Sequence, residues 1–200
     1  MPALLDIAVC IGAYLLGSIS SAILLARAVG MADPRSAGSG NPGATNMLRL
    51  GGKKIAALVF LGDMLKGLVP VLIAVALQLS PLTIAATGLC AFAGHIYPVF
   101  FGFKGGKGVA TAFGVMLGYA SLPAVTVGVV WLVMAMIFRI SSLAAITAAV
   151  IAPAAMWRLQ SHREFAIAML LMSVVLLWRH RRNILNLIQG AESKIGSKKD

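Results

Sequence analysis

Three short hydrophilic segments interrupt an otherwise almost continuously apolar chain, and their residue types suit the binding of anions. The first is Gly38-Ser39-Gly40-Asn41-Pro42-Gly43-Ala44-Thr45-Asn46, with Arg49 three residues on. Its glycines let the backbone turn inward without Cβ clashes, and Ser39, Asn41, Thr45 and Asn46 add side-chain donors and acceptors. A loop of this kind can fold into a nest of amide N–H groups that cradles phosphate. The second, Gly102-Phe103-Lys104-Gly105-Gly106-Lys107-Gly108, puts Lys104 and Lys107 just ahead of a new apolar run, where a helix N-terminus adds fixed donors. It is not a nucleotide loop of the form G-x-x-x-x-G-K-[ST]. Phe101 and Gly108 occupy the first and last positions of that pattern, and no strand is predicted before it. The third, Arg179-His180-Arg181-Arg182-Asn183, sets His180 and Asn183 three apart at a helix end. The expectation is that all three segments meet on one face of a bundle and hold phosphate groups there.

Other chemistry-bearing residues are few. Asp63 and Lys66 share a helix face within an apolar run, where charges are costly and mark either a functional site or a self-neutralising pair. His95, in Gly94-His95-Ile96-Tyr97-Pro98, reads alone as a structural group. The H-x-x-x-x-D dyad of one large class of glycerolipid acyltransferases is missing, because Phe100, Ile167 and Leu185 follow His95, His162 and His180 at that distance. His162 receives no role. Cys10 and Cys90 lie in apolar runs and read as buried small hydrophobes. Scattered histidines and carboxylates give no metal site, and no cofactor is implied.

The elements that must position these groups are membrane helices. Hydrophobic residues make up 60% of the 200 residues and charged ones 12%, against about 25% charged in ordinary soluble domains. The expected fold is an all-α integral membrane protein with seven transmembrane helices. The spans are Leu4–Ala26, Ile55–Leu79, Leu82–Phe101, Val109–Tyr119, Leu122–Phe138, Leu143–Trp157 and Phe165–Trp178. The first is too long for a signal peptide and lacks a basic leader, so it is kept as a span. One polytopic domain covers residues 1–192, and residues 193–200 form a disordered cytoplasmic tail. With the N-terminus outside, fourteen of the seventeen Lys and Arg residues fall on the side of the three motifs. The positive-inside rule makes that side cytoplasmic. The net charge of +11 therefore implies contact with a lipid bilayer, and nucleic acid is excluded as a partner because no basic stripe interleaves with aromatics.

Four ordered motifs carry a resemblance over essentially the whole chain. They are Gly38-Ser-Gly-Asn-Pro-Gly-Ala-Thr-Asn46, Asp63-Met-Leu-Lys-Gly67, the stretch from Gly94 to Gly108, and Arg179-His-Arg-Arg-Asn-Ile184. The chain resembles the bacterial acyl-phosphate:glycerol-3-phosphate acyltransferases, the PlsY family, with no substitution at a motif position. The resemblance implies a seven-helix enzyme of the bacterial inner membrane with its site facing the cytoplasm. It would move an acyl group from acyl phosphate to the 1-hydroxyl of glycerol 3-phosphate, giving lysophosphatidic acid and phosphate, the first step of phospholipid synthesis. Neither CoA nor acyl carrier protein would be the direct donor. On that basis Ser39, Lys107, His180 and Asn183 are expected to be catalytic. Gly38, Gly40, Asn41, Gly43, Thr45, Asn46, Arg49, Asp63, Lys66, Lys104, Gly105, Gly106 and Gly108 are expected to bind substrate or phosphate. The base is left as either His180 or a substrate phosphate oxygen. Acyl phosphate is an activated mixed anhydride, so direct transfer without an acyl-enzyme is expected.

Two rival classes fit less well. A metal-dependent phosphotransferase would need clustered aspartates, and only Asp63 lies in a span. An anion transporter built on broken helices would show an inverted repeat, and none is visible.

Overall fold

Each apolar run of the sequence is helical in the computed structural model, which describes residues 2–196. Among these residues the order is α1 (Pro2–Gly17), α2 (Ser21–Ala28), α3 (Ala44–Ala76), α4 (Pro81–Ile96), α5 (Val109–Tyr119), α6 (Ser121–Phe138), α7 (Ser141–Leu159), α8 (Arg163–Arg179) and α9 (Arg181–Ile188). A 3-10 turn spans Val99–Phe101. Four helical stretches are long and apolar enough to cross a membrane, and the bent pair α1–α2 makes a fifth. Helix α5, at 11 residues, and α8, at 17, are shorter. Of the segment read as a disordered tail, 197–200 lies outside the described residues, while the Ile195 N–H donates to the Arg139 carbonyl at 2.6 Å.

Three boundaries differ from the sequence expectation. The single span Leu4–Ala26 is two helices meeting at 43°. The break falls at Ser18–Ser20, where side chains compete for the backbone groups of the ladder. The Ser18 hydroxyl donates to the Tyr14 carbonyl at 2.8 Å, and Ser20 caps α2 by accepting from the Ile23 N–H at 3.4 Å. Helix α3 begins at Ala44, eleven residues before the expected Ile55, so Ala44, Thr45 and Asn46 form its first turn and not the end of a loop. Its course breaks at Gly52, whose φ of 77° and ψ of −175° are open only to glycine. The third run stops being α-helical at Ile96 and finishes in the 3-10 turn.

Burial is inverted relative to a water-soluble bundle. Small residues fill the interior, as along α7 with Ala144, Ala145, Ala148, Ala149, Ala152 and Ala155. Large apolar side chains face outward, with Met136 70% and Ile137 67% exposed. Water would not tolerate so continuous an apolar surface, but hydrocarbon does. Helices in lipid gain little from hiding leucine and associate through close approach of small residues. Two such approaches organise the bundle. A methyl at Gly17 would strike the Ala91 backbone and one at Gly94 the Tyr14 backbone, which fixes α1 on α4. Methyls at Gly67 and Gly114 would strike Thr111 and Met64, which fixes α3 on α5.

Candidate active site

The site is assembled from loop ends, and each end is tied by a side chain from a distant part of the chain. The first loop is closed from within by Asn46, which is 1% exposed. Its Oδ1 accepts the Ser39 N–H at 2.9 Å, and its Nδ2 donates to the carbonyls of Pro34 and Ala37 at 3.0 Å each. Gly38 holds φ +62°, and a methyl there would collide with the Asn46 amide. Asn46 therefore shapes the loop, leaving Ser39 and Gly40 exposed and Asn41 and Thr45 half-buried. No side chain caps α3 at Gly43, so the first-turn N–H groups at Ala44 and Thr45 can meet an anion. Arg35 pairs with Asp33 at 2.7 Å and also donates to the Phe101 carbonyl at 2.9 Å, which joins the first loop to the second.

The second loop is gripped from both sides. Arg179 Nη2 donates to the carbonyls of Gly105 and Gly106 at 2.8 Å each. The Gly106 N–H donates to the His95 carbonyl at 3.3 Å. Gly108, at φ +89°, is packed so tightly on Phe92 and Ile96 that a side chain there would strike the Phe92 ring. It is the N-cap of α5 and offers no side-chain bond, so the α5 N-terminus is open as well. Lys104 stands exposed at the rim. Lys107 turns inward, and its Nζ donates to Asn183 Oδ1 at 2.6 Å.

That contact brings in the third segment. Asn183, near the start of α9, passes its Nδ2 to Glu192 Oε1 at 2.6 Å. Glu192 also accepts from the Ser142 hydroxyl at 2.7 Å and from Asn186 at 3.2 Å. The Asn183 amide is thus oriented at both ends, oxygen to Lys107 and nitrogen to Glu192. Burial pushes the Lys107 ammonium below its usual value, with Arg179 and Arg49 adding to the shift and Glu192 opposing it. Arg49, exposed one and a half turns into α3, therefore stands close enough to act on Lys107. Burial pushes Glu192 up, but the bonds from Ser142, Asn183 and Asn186 outweigh it and leave the carboxyl below its ordinary value. His180 is 4% exposed, and its Nδ1 meets the Leu176 carbonyl at 2.8 Å. A neutral ring then carries its proton on Nδ1 and a lone pair on Nε2. Burial, reinforced by the Lys107 charge, lowers its pKa to about 4.

Asp63 and Lys66 lie inside the bundle, bonded to each other at 2.9 Å. Lys66 Nζ also donates to the Ile19 carbonyl at 2.8 Å, and Ser21, the first residue of α2, lies beside the Asp63 carboxyl. The pair therefore seats at the break between α1 and α2. The structure thus joins Lys107 and Asn183 directly, sets His180 near enough to feel the Lys107 charge, and adds Gly105, Gly106, Gly108 and Arg49 around them. Ser39, Gly38, Gly40, Asn41, Gly43, Thr45 and Asn46 sit on the adjoining loop, and Asp63 and Lys66 sit beneath. The sequence alone gives Arg179 no individual role, although it opens the third motif, and gives Glu192 none as the last residue of the expected domain. A lone carboxylate amid the basic C-terminal segment was the available signal. Among the described residues, no three His, Cys, Asp or Glu stand together as a metal site.

Three cations (Lys107, Arg49 and Arg179), two open helix N-termini and an oriented amide can hold phosphate and stabilise charge developing beside it. Between α4 and α8, a cleft of about 220 Å³ is lined by Phe92, Ile96, Tyr97, Leu171, Met172 and Val175, with Leu89 and Ala93 completing it. Val175 lies one turn before Arg179 on α8, so the apolar cleft runs up to the polar cluster.

Comparison with known proteins agrees with this chemistry. Residues 7–190 match the family model described as glycerol-3-phosphate acyltransferase. A glycerol-3-phosphate acyltransferase of Thioalkalivibrio sulfidiphilus is 54% identical over 195 residues, covering 98% of this chain and 96% of that protein. One from Methylococcus capsulatus is 52% identical over 187 residues, 94% of each. Among solved structures, the glycerol 3-phosphate form of PlsY (YgiH), an integral membrane glycerol 3-phosphate acyltransferase, is similar with a TM-score of 0.91. Its identity is 42%, covering 96% of both chains. The lysophosphatidic acid form of that protein has a TM-score of 0.89 and 41% identity, covering 96% of this chain and 95% of that one.

Proposed function

Because the chain belongs to the glycerol-3-phosphate acyltransferase family, and is an integral membrane acyltransferase of phospholipid synthesis, we propose that it takes its acyl group from acyl phosphate and delivers it to the 1-hydroxyl of sn-glycerol 3-phosphate. The products are lysophosphatidic acid and inorganic phosphate. The reaction runs at the cytoplasmic face of the bacterial inner membrane, with seven spans, the N-terminus outside and the C-terminus inside. The basic residues support that orientation, since fourteen of seventeen fall on the motif side.

The observation that carries the reading is the contact of Lys107 with Asn183, backed by Arg179 on the glycine loop. It gathers cations and fixed donors where two phosphorylated substrates must meet. The apolar cleft between α4 and α8 supports a donor that brings a lipid tail to that point. Lys107, Arg49 and the amides of the α3 and α5 N-termini bind the phosphates, with Ser39 and Thr45 as added donors. The acceptor oxygen attacks the acyl carbonyl carbon, a tetrahedral oxyanion forms, and the carbon–oxygen bond to phosphate breaks as inorganic phosphate leaves. Positioning lowers the barrier, and preformed donors stabilise the oxyanion and the leaving phosphate. No protein nucleophile is needed, and the exposed Ser39 hydroxyl makes no hydrogen bond to a base among the described residues. With its pKa held near 4, His180 is a weak base. A substrate phosphate oxygen is better matched to take the hydroxyl proton near neutral pH, while His180 Nε2 orients that hydroxyl. Asp63 and Lys66 support the site from within the bundle.

The test is purified protein with acyl phosphate and glycerol 3-phosphate in EDTA, product read by mass spectrometry, and acyl-CoA as the control donor. Lysophosphatidic acid from acyl phosphate alone, abolished by Lys107→Ala, is expected. Equal use of acyl-CoA would refute the donor assignment, and full activity of Lys107→Ala would remove the cradle.

A further inference from the structure

His95 has no place in the mechanism above, yet it stands at the junction of the two polar systems in this bundle. It is 6% exposed, and its Nδ1 is buried without a hydrogen-bond partner, 3.8 Å from the Asp63 carboxylate. The opposite edge of the ring lies against the glycine loop. A methyl built on Gly106 would strike Nε2, with Cε1 at 3.0 Å and Cδ2 at 3.4 Å, and these are its three nearest atoms. Gly106 has no positive φ, so its backbone lies outside the left-handed region that favours glycine. What keeps a side chain out of this position is the His95 ring. The same histidine receives the Gly106 N–H on its carbonyl, and Arg179 pulls the Gly105 and Gly106 carbonyls from the other side. The next residue is Lys107.

We propose that His95 is a positioning residue for phosphate binding: its ring is a strut, footed on the buried Asp63–Lys66 pair, that sets the height of Gly106 and therefore the reach of Lys107 to Asn183. The proposal rests on the reading of Lys107 as a phosphate ligand. A strut of fixed length explains why a polar ring is buried 3.8 Å from a carboxylate instead of bonding it closely: Gly106 limits the ring on one edge and Asp63 on the other.

A strut and its seat are complementary in size, which a double-substitution cycle reads directly. Gly106→Ala drives the ring and loop apart, and His95→Ala lets the loop sink. Each is expected to lower kcat/KM of acyl transfer by about 10- to 100-fold, the scale of an ångström-sized displacement, and to weaken inhibition by inorganic phosphate in parallel. In His95→Ala/Gly106→Ala the new methyl fills the vacated space. Activity and phosphate inhibition should then return to at least about 10-fold above the product of the single losses. His95→Asn with Gly106→Ala serves the same cycle if His95→Ala does not fold, judged by its melting temperature in detergent. Multiplicative losses in the double variant, or wild-type activity in both singles, would overturn the proposal. Lys107→Ala is run alongside. If it is inactive while the cycle is multiplicative, His95 alone loses its role; if it is fully active, the phosphate-site reading falls and the strut with it.

Discussion

Removing the charge of Lys66 while keeping that of Asp63 is expected to loosen the bundle before it disturbs the chemistry. The two side chains are 6% and 4% exposed and 2.9 Å apart. In Lys66→Met the Asp63 carboxylate keeps only its neighbour Ser21 and the more distant His95 ring, and the Ile19 carbonyl loses its donor. Taking one partner from a buried ion pair costs about 3–5 kcal/mol, and orphaning a buried carbonyl adds about 1–3 kcal/mol. At this chain length each kcal/mol moves the melting temperature by about 2–4 °C. The single substitution should therefore lower it by at least about 8 °C and by as much as about 32 °C. Asp63→Leu/Lys66→Met removes both charges at similar volume and should recover much of the loss. The assay is thermal unfolding of purified protein in detergent, with lysophosphatidic acid formation measured well below each transition. If Lys66→Met melts with the wild type while transfer collapses and KM for glycerol 3-phosphate rises, the pair reaches substrate and the scaffold reasoning is wrong.

Three further outcomes follow from the site. The folded pKa of His180, about 4, lies below its unfolded value of 6.5, so the unfolded chain holds more protons between those limits. Its stability contribution is full above pH 6.5 and is lost as the pH falls toward 4. The wild-type melting temperature should drop by about 4–8 °C more than that of His180→Gln between pH 7.5 and pH 5, and parallel pH curves would contradict this. Gly108→Ala combines a left-handed φ of +89° with a strike on the Phe92 ring, so it should lower transfer by more than about 10-fold; a fully active variant would show that the loop relaxes freely. Glu192→Ala frees the Asn183 amide to rotate away from Lys107 and should cost about 10- to 100-fold in kcat/KM. Glu192→Gln keeps one acceptor oxygen and should lose less, so equal losses in the two variants would argue against an orienting role.

Much of this arrangement is legible in the sequence because lipid imposes a simple grammar: an apolar run must be helical so that its backbone groups are satisfied. Val109–Tyr119 is recovered residue for residue, and the later helices lie within two residues of their expected ends. The boundaries that shifted are those where polarity and helicity part company. The first turns of α3 carry Thr45, Asn46 and Arg49, which look like loop but are helical. The first apolar run reads as one span but breaks at Ser18–Ser20, just after Gly17 packs on the Ala91 backbone. In the site, residue types suit anion binding, but which group holds which depends on partners far away in the chain. Asn46 reads as a ligand until its amide is seen tied to Ser39, Pro34 and Ala37. Glu192 reads as the unassigned last residue of the domain until it is seen holding Ser142 and Asn183, fifty and nine residues away. No local pattern encodes such pairings.

The break between α1 and α2 explains why charge is kept inside this bundle at all. A helix interrupted at membrane depth leaves backbone groups that lipid cannot satisfy. The Ile19 carbonyl is one, and Lys66 fills it. A buried ammonium needs a counter-charge, which Asp63 supplies from the same face of α3, beside Ser21 at the start of α2. The kink so stabilised turns α2 away from α1 by 43°. It carries Arg27 to within 5.9 Å of the Phe101 ring, and Arg35 in the following loop donates to the Phe101 carbonyl at 2.9 Å. Ser18, at the same break, accepts the Val99 N–H at 3.3 Å, so the interruption also anchors the entry to the glycine loop. An unbroken first helix would need neither charge, but it would direct the first loop along its own axis and away from the second. The intramembrane pair is thus a structural consequence of interrupting the first span.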